Sequence, residues 1–309
     1  MRRLIVPVLS TVLGLGLVAA PPASAGVARD GDTFPARIDL PDGFQPEGIT
    51  IGPGGNAWLG SLADGDIVKV SLRTGEVQPA FEGTGVPAVG LKRSRDGRLY
   101  VAGGDSGTLR VIDTATGATT SYDVDGGFVN DVTLTTKAAW FTDSQKPRLY
   151  RLDRDAGVPA TTATPVPLTG EWEQGAGFNA NGVTTAPGGK ALLVVNSGAG
   201  TLYRVTTAGV ATKVDLGGYE LVNGDGILRH GRLLYVVRNR DNVVEVVRLD
   251  RTGLVGEVVR HITSDEFDVP TTVARFGKRL YLPNARFGVD PADAPTSAYW
   301  ITKVRGGRR

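Results

Sequence analysis

The sequence predicts an all-β protein, a six-bladed β-propeller of four-stranded blades whose ring is closed by an N-terminal strand completing the last blade. Three observations carry that expectation. A short motif recurs with its starts at positions 47, 89, 130, 181, 225 and 271, giving steps of 42, 41, 51, 44 and 46 residues, the interval of one four-stranded blade. Strand follows strand with no sustained helical period. Glycine supplies 43 of the 309 residues, about twice average usage, as a turn-rich chain requires.

Each repeat places an apolar run after a turn: Ala57 to Leu59, Arg98 to Val101, Ala139 to Phe141, Ala191 to Val195, Arg232 to Val236 and Arg279 to Leu282. A strand of alternating character follows at Ile67 to Val70, Leu109 to Ile112, Leu149 to Leu152, Leu202 to Val205 and Val243 to Val246, and, after a longer loop, at Tyr299 to Thr302. Turn formers such as Asp96-Gly97, Thr74-Gly75 and Thr252-Gly253 separate the strands. The last repeat lacks room for an outer strand, and Phe34 to Leu40 stands spare ahead of the first repeat. The 51-residue step holds Pro159 to Gly177, which reads as an extended loop before the fourth blade. A β-sandwich or β-helix is the rival architecture, and this spacing disfavours both.

The ends and the composition narrow the function. Residues 1–25 read as a signal peptide, with Arg2 and Arg3, an apolar stretch from Leu4 to Ala20 and a cleavage site at Ala23-Ser24-Ala25. One propeller domain is expected over 26–304, with a basic tail over 305–309. The expected product is a secreted monomer, extracellular or in the cell envelope, with no membrane attachment after cleavage. Losing Arg2 and Arg3 balances 32 basic against 32 acidic residues, so no nucleic-acid partner is expected. The chain has no cysteine and two histidines, which removes thiolate chemistry and histidine-rich redox metal sites.

Residues at one register of the inner strands converge at a propeller's axis. Here they are Glu47, Val89, Asn130, Asn181, Asp225 and Thr271. Two carboxylates and two amides brought together repel or stay unsatisfied unless a cation or a proton intervenes. All four are oxygen donors, which suits a hard divalent cation, calcium first, with zinc, manganese or magnesium as substitutes. Taken singly, each X-Gly pair reads more simply as a turn; the shared register favours a metal site. Asp131, one residue past Asn130, should point the other way along a period-two strand and is given a structural role.

This constellation, together with Phe178-Asn179-Ala180-Asn181-Gly182-Val183 and Asn223-Gly224-Asp225-Gly226-Ile227, resembles the regucalcin, senescence-marker-protein and gluconolactonase family over roughly residues 34–304. The resemblance implies one divalent cation on Glu47, Asn181 and Asp225, Asn130 as a further ligand or substrate contact, and hydrolysis of a lactone or related cyclic ester. The family's sugar-lactone enzymes carry an arginine two residues before the third-blade Asn. Phe128 stands there in this chain, which points away from a polyhydroxylated sugar.

The expected mechanism uses the cation to polarise the lactone carbonyl and acidify a water, Asp225 to take the water's proton, and Asn130 to hold the carbonyl or alkoxide oxygen. A small-molecule substrate is expected to meet Phe128, Phe178, Tyr219, Arg238 and Arg286 on the rim. Further rim candidates are Ser61, Asp143, Asn196, Ser197, Asn239 and Asn284. His230 and His261 are assigned surface or structural roles. The alternative function is a non-catalytic secreted propeller with a structural ion, binding a small molecule, glycan or protein.

Overall fold

Runs such as Ala191 to Val195 are apolar at every position, so the strands they form need cover on both faces. Sheets standing side by side provide it. The computed structural model describes residues 33–306; the expected signal peptide and the last three residues of the basic tail lie outside the described residues. From Phe34 onward the chain forms one compact unit of six sheets, each a sequential antiparallel meander at its core. Alternate residues of a strand serve opposite neighbours: Leu193 and Val195 pack with Ile227 and Leu234 of blade five, while Leu192 and Val194 pack with Trp140 and Leu149 of blade three. The hydrophobic cores therefore lie between blades.

The sixth sheet runs from Ala274–Phe276 through Arg279–Asn284 and Tyr299–Arg305 to Arg37–Leu40. The first strand of the chain is thus the outer strand of the last blade, with Arg37 opposite Thr302 and Leu40 opposite Tyr299. Ile38 and Leu40, 3% and 6% exposed, pack with Tyr299 and Ile301 and with Leu59 and Val68 of blade one. Blades three and four differ from expectation. Pro159 to Gly177 is not the extended loop expected: Thr164–Pro167 is the outer strand of blade three, and Thr169–Gly170 adds a parallel edge beside Val210–Lys213 of blade four. Prolines at 165 and 167 hide this strand from a propensity reading, but proline is tolerated on a sheet edge.

At the hub, the inner strands are irregular at the shared register. Pairing with the second strand shifts between Pro46 and Ile49, Val129 and Val132, Ala180 and Val183, and Gly224 and Ile227. Each shift straddles one expected donor and the residue after it. That next residue is glycine in three of these four blades and Asp131 in the other, and the glycines are there for a reason of space and not of turn formation. A Cβ on Gly48 would sit 2.3 Å from Val89 O, on Gly182 2.2 Å from Asp225 O, and on Gly226 2.0 Å from Thr272 Oγ1. Each glycine lets the next blade's backbone close against its own. Gly182→Ala therefore has to move backbone, and its urea midpoint is expected to fall by the equivalent of about 2 kcal/mol or more. Unchanged stability would show that the blades do not meet there.

Candidate functional site

The inner-strand starts bring Glu47, Asn130, Asn181 and Asp225 together on the wall of one cavity of about 460 Å3 at the axial mouth. All four are buried, at 7%, 4%, 6% and 3% exposure. Their hydrogen bonds are unequally satisfied. Asp225 Oδ2 accepts from Asn239 Nδ2 at 2.6 Å, and the Asn181 side chain also donates to this carboxylate. Asn130 Nδ2 donates to Ser144 Oγ at 3.0 Å, and Ser144 passes the bond to Ala180 O at 2.7 Å. One of Asn130's two N–H groups is thus committed, and its Oδ1 accepts no hydrogen bond among the described residues. Among the described residues Asn181 Oδ1 is buried with no hydrogen-bond partner, and the Glu47 carboxylate accepts no hydrogen bond, although its backbone carbonyl accepts from Thr271 Oγ1 at 2.7 Å.

The electrostatics follow from this crowding. Burial, then the charges of Asp225 and Asp131, hold the Glu47 carboxyl well above the usual carboxylate range. Burial, with Asp131 adding to it against hydrogen bonds from Asn239, Asn181 and Gly226, pushes Asp225 up to about 7. Asp131 is itself raised by burial, although Lys92 and the N–H groups of Val183 and Val132 oppose it. Its carboxylate accepts from Val132 N at 2.7 Å and from Val183 N at 3.0 Å, tying blade three to blade four. It is a structural tie, yet its charge reaches the site.

An orphaned buried carbonyl oxygen beside two buried carboxylates is the chemistry of a hard-cation site, and a cation there would satisfy all three at once. No three of His, Cys, Asp and Glu form a ligand group among the described residues; the donor set that fits is two carboxylates with two amides. Without a cation, the folded chain binds protons on Glu47 and Asp225 that the unfolded chain releases near pH 4. Folded-state proton uptake then exceeds unfolded between about pH 4 and 7, so stability falls as pH rises across that window. Thermal denaturation of chelator-treated protein is expected to show this decline, with added calcium cancelling it above about pH 7. A midpoint rising with pH and indifferent to calcium would contradict it.

Phe128 and Phe178 line the cavity in edge-to-face contact, with ring centroids 4.9 Å apart. Tyr219, Arg238 and Arg286, expected on the same rim, line no part of it. The Tyr219 hydroxyl donates to Glu245 Oε1 at 2.8 Å, Arg238 pairs with Glu245 and Asp241, and Arg286 pairs with Asp268 at 2.7 Å and stacks on Trp300. Asp143, Asn196 and Asn284 are fully buried and hold loops: Asp143 alone accepts from the N–H groups of Gly127, Phe128, Gln145 and Lys146. The lining also includes Leu62, Val89, Asn223, Arg240 and Phe287, which sequence reasoning did not place there as ligand contacts. A 3-10 turn at Asn239–Asp241, ended by Asn242 in the left-handed region, turns Arg240 to the cavity instead of Arg238. Neither histidine lines this cavity; His261 Nδ1 meets the buried Glu245 carboxylate at 2.5 Å.

Residues 35–70 match the N-terminal strictosidine synthase-like family model. Regucalcin from Agrobacterium tumefaciens, described as a calcium-binding protein, superposes with a TM-score of 0.62 at 18% identity, covering 89% of this chain and 96% of its own. The chain shares its propeller fold with regucalcin. The major allergen Mala s 1 of Malassezia sympodialis gives a TM-score of 0.66 at 15% identity over 87% of this chain and 96% of its own. A catalytically inactive histidine-to-alanine variant of virginiamycin B lyase from Staphylococcus aureus, solved with quinupristin, gives 0.59 at 17% identity over 85% and 82%. No curated protein matches the chain in sequence. The resemblance to regucalcin read from the hub motifs thus holds at the level of the fold.

Proposed function

We propose that this chain is a divalent-cation-dependent hydrolase that opens a lactone or related cyclic ester at the axial mouth. One observation carries the reading: Asn181 Oδ1 lies buried and unsatisfied beside the carboxylates of Glu47 and Asp225 in an open cavity. Glu47, Asn181 and Asp225, with Asn130 Oδ1, would hold the ion, calcium by preference. When bound, such an ion supplies Lewis acidity toward a carbonyl oxygen and toward water. Asp225, held at Oδ2 by Asn239, takes the proton from the attacking water at its carboxylate. The free N–H of Asn130 faces the substrate oxygen, while Phe128, Phe178 and Phe287 exclude water from an apolar substituent. That lining fits a lactone with an apolar body better than a polyhydroxylated sugar, and Arg240 at the mouth adds a cation for an acidic group.

Regucalcin's description as calcium-binding supports the choice of ion. A lyase reading by way of virginiamycin B lyase has less behind it, since a histidine was altered to inactivate that enzyme and no imidazole of this chain lines the cavity. The test is a panel of aliphatic, aromatic and sugar lactones assayed with calcium, manganese and zinc. Calcium-loaded parent protein should turn over the apolar lactones fastest, and Asp225→Ala should lose about 100-fold or more. Uniform inactivity of the metal-loaded parent would leave the non-catalytic binding propeller ahead.

A further inference from the structure

The opposite mouth of the channel carries a second cavity of about 580 Å3 with contrary chemistry. Its wall holds five cations, Lys92, Arg93, Arg95, Arg154 and Arg275, and no aspartate or glutamate. Blade geometry puts them there. Counting four residues on from the donor register gives Ile51, Arg93, Leu134, Thr185, Arg229 and Arg275, the far ends of the inner strands and roughly 13 Å along the axis. Arg229 is spent on its neighbours, donating to Thr185 O and Gly231 O. The others are not. Arg93 donates from Nη1 to Ser94 O at 3.1 Å and leaves Nε buried without an acceptor. Arg154 reaches Asp96 with Nη2 at 3.3 Å and likewise leaves Nε without one. Arg275 donates from Nη1 to His230 Nδ1 at 3.3 Å. Lys92 is near enough to Asp131 to favour its ionised form, and Arg95, exposed on the rim, makes no ion pair among the described residues.

Like charges gathered at one concavity of a nearly neutral chain repel one another unless an anion joins them. Guanidinium forks match the paired oxygens of a phosphate, and Thr133 and Thr136 add hydroxyl groups to the wall. The floor is apolar, from Ile49, Ile51, Leu134 and Leu228, and the volume is that of a small-ligand site. We propose that this mouth is a second ligand site, taking a small phosphate-bearing anion of at least two charges, separate from the cation site at the other end of the channel.

Isothermal titration with sodium pyrophosphate tests the proposal, on protein stripped over a chelating resin and at ionic strength matched with sodium chloride. Pyrophosphate is expected to bind with a sub-millimolar Kd. Arg275→Gln and Arg95→Glu should each weaken it by tenfold or more; the second lies on an exposed side chain, so its folding is not at stake. Glu47→Gln should bind pyrophosphate like the parent. Parent binding that is absent, or equal to that of Arg95→Glu, would overturn the proposal. Binding lost in Glu47→Gln would overturn it too, by placing the anion at the wrong mouth.

Discussion

Glu47→Gln is expected to bind calcium at least about 100-fold more weakly than the parent, because it exchanges a charged oxygen donor for a neutral one at nearly constant volume. Calcium at about 100 times the parent's Kd stabilises the folded state by about 2.7 kcal/mol, a rise in Tm of about 5 °C or more for a domain of this size. The variant should show little of that rise. Its metal-free behaviour runs the opposite way. The Glu47 carboxyl is buried, accepts no hydrogen bond among the described residues and is held well above the usual carboxylate range by burial and by its acidic neighbours. Replacing it removes a charge that the stripped protein accommodates poorly above neutral pH, so stripped Glu47→Gln should melt at or above stripped parent at pH 8. Differential scanning calorimetry with and without calcium reads both effects. A variant less stable than the parent in both conditions would make Glu47 a packing residue and remove it from the cation site.

Ile38→Asp is the substitution expected to cost the fold most. Ile38 lies in the core cluster that joins blade six to blade one, and its strand is the one that completes the ring. A carboxylate there loses the apolar contacts and brings a charge among Tyr299, Ile301 and Leu59, a cost of about 3–5 kcal/mol. Asp39 on the same strand is 74% exposed on its side chain and pairs with Arg37 at the surface, so Asp39→Ala should stay within about 0.5 kcal/mol. Urea denaturation separates the two. Equal midpoints would mean that the N-terminal strand is not part of the cooperative unit.

The repeat was legible because every blade restates the same strand order, and the shortage of one outer strand was legible by counting. The donor constellation was legible because register survives divergence in the intervening loops. What stayed hidden is local. The pairing of the third blade's inner strand shifts between Val129 and Val132, and nothing in alternating polarity announces it. The edge strand Thr164–Pro167 is rich in proline and reads as loop. On the rim, a single 3-10 turn exchanges Arg238 for Arg240, and Arg286 sits at a backbone φ of 53°, where extension of a strand pattern fails. The X-Gly pairs were legible as glycines but misleading as turns, since Gly48, Gly182 and Gly226 mark places where two blades touch.

Because the strand Arg37–Leu40 finds its partner at Tyr299–Arg305, the pairing of Ile38 with Ile301 cannot form until more than 260 further residues have been synthesised. Five sheets can assemble in order as the chain emerges, while the sixth waits with one flank uncovered and prone to pair with another molecule. Assembly should therefore end in a slow, long-range docking step whose rate falls with this large separation along the chain. A nascent chain cut off before residue 299 would be a string of blades with no clasp.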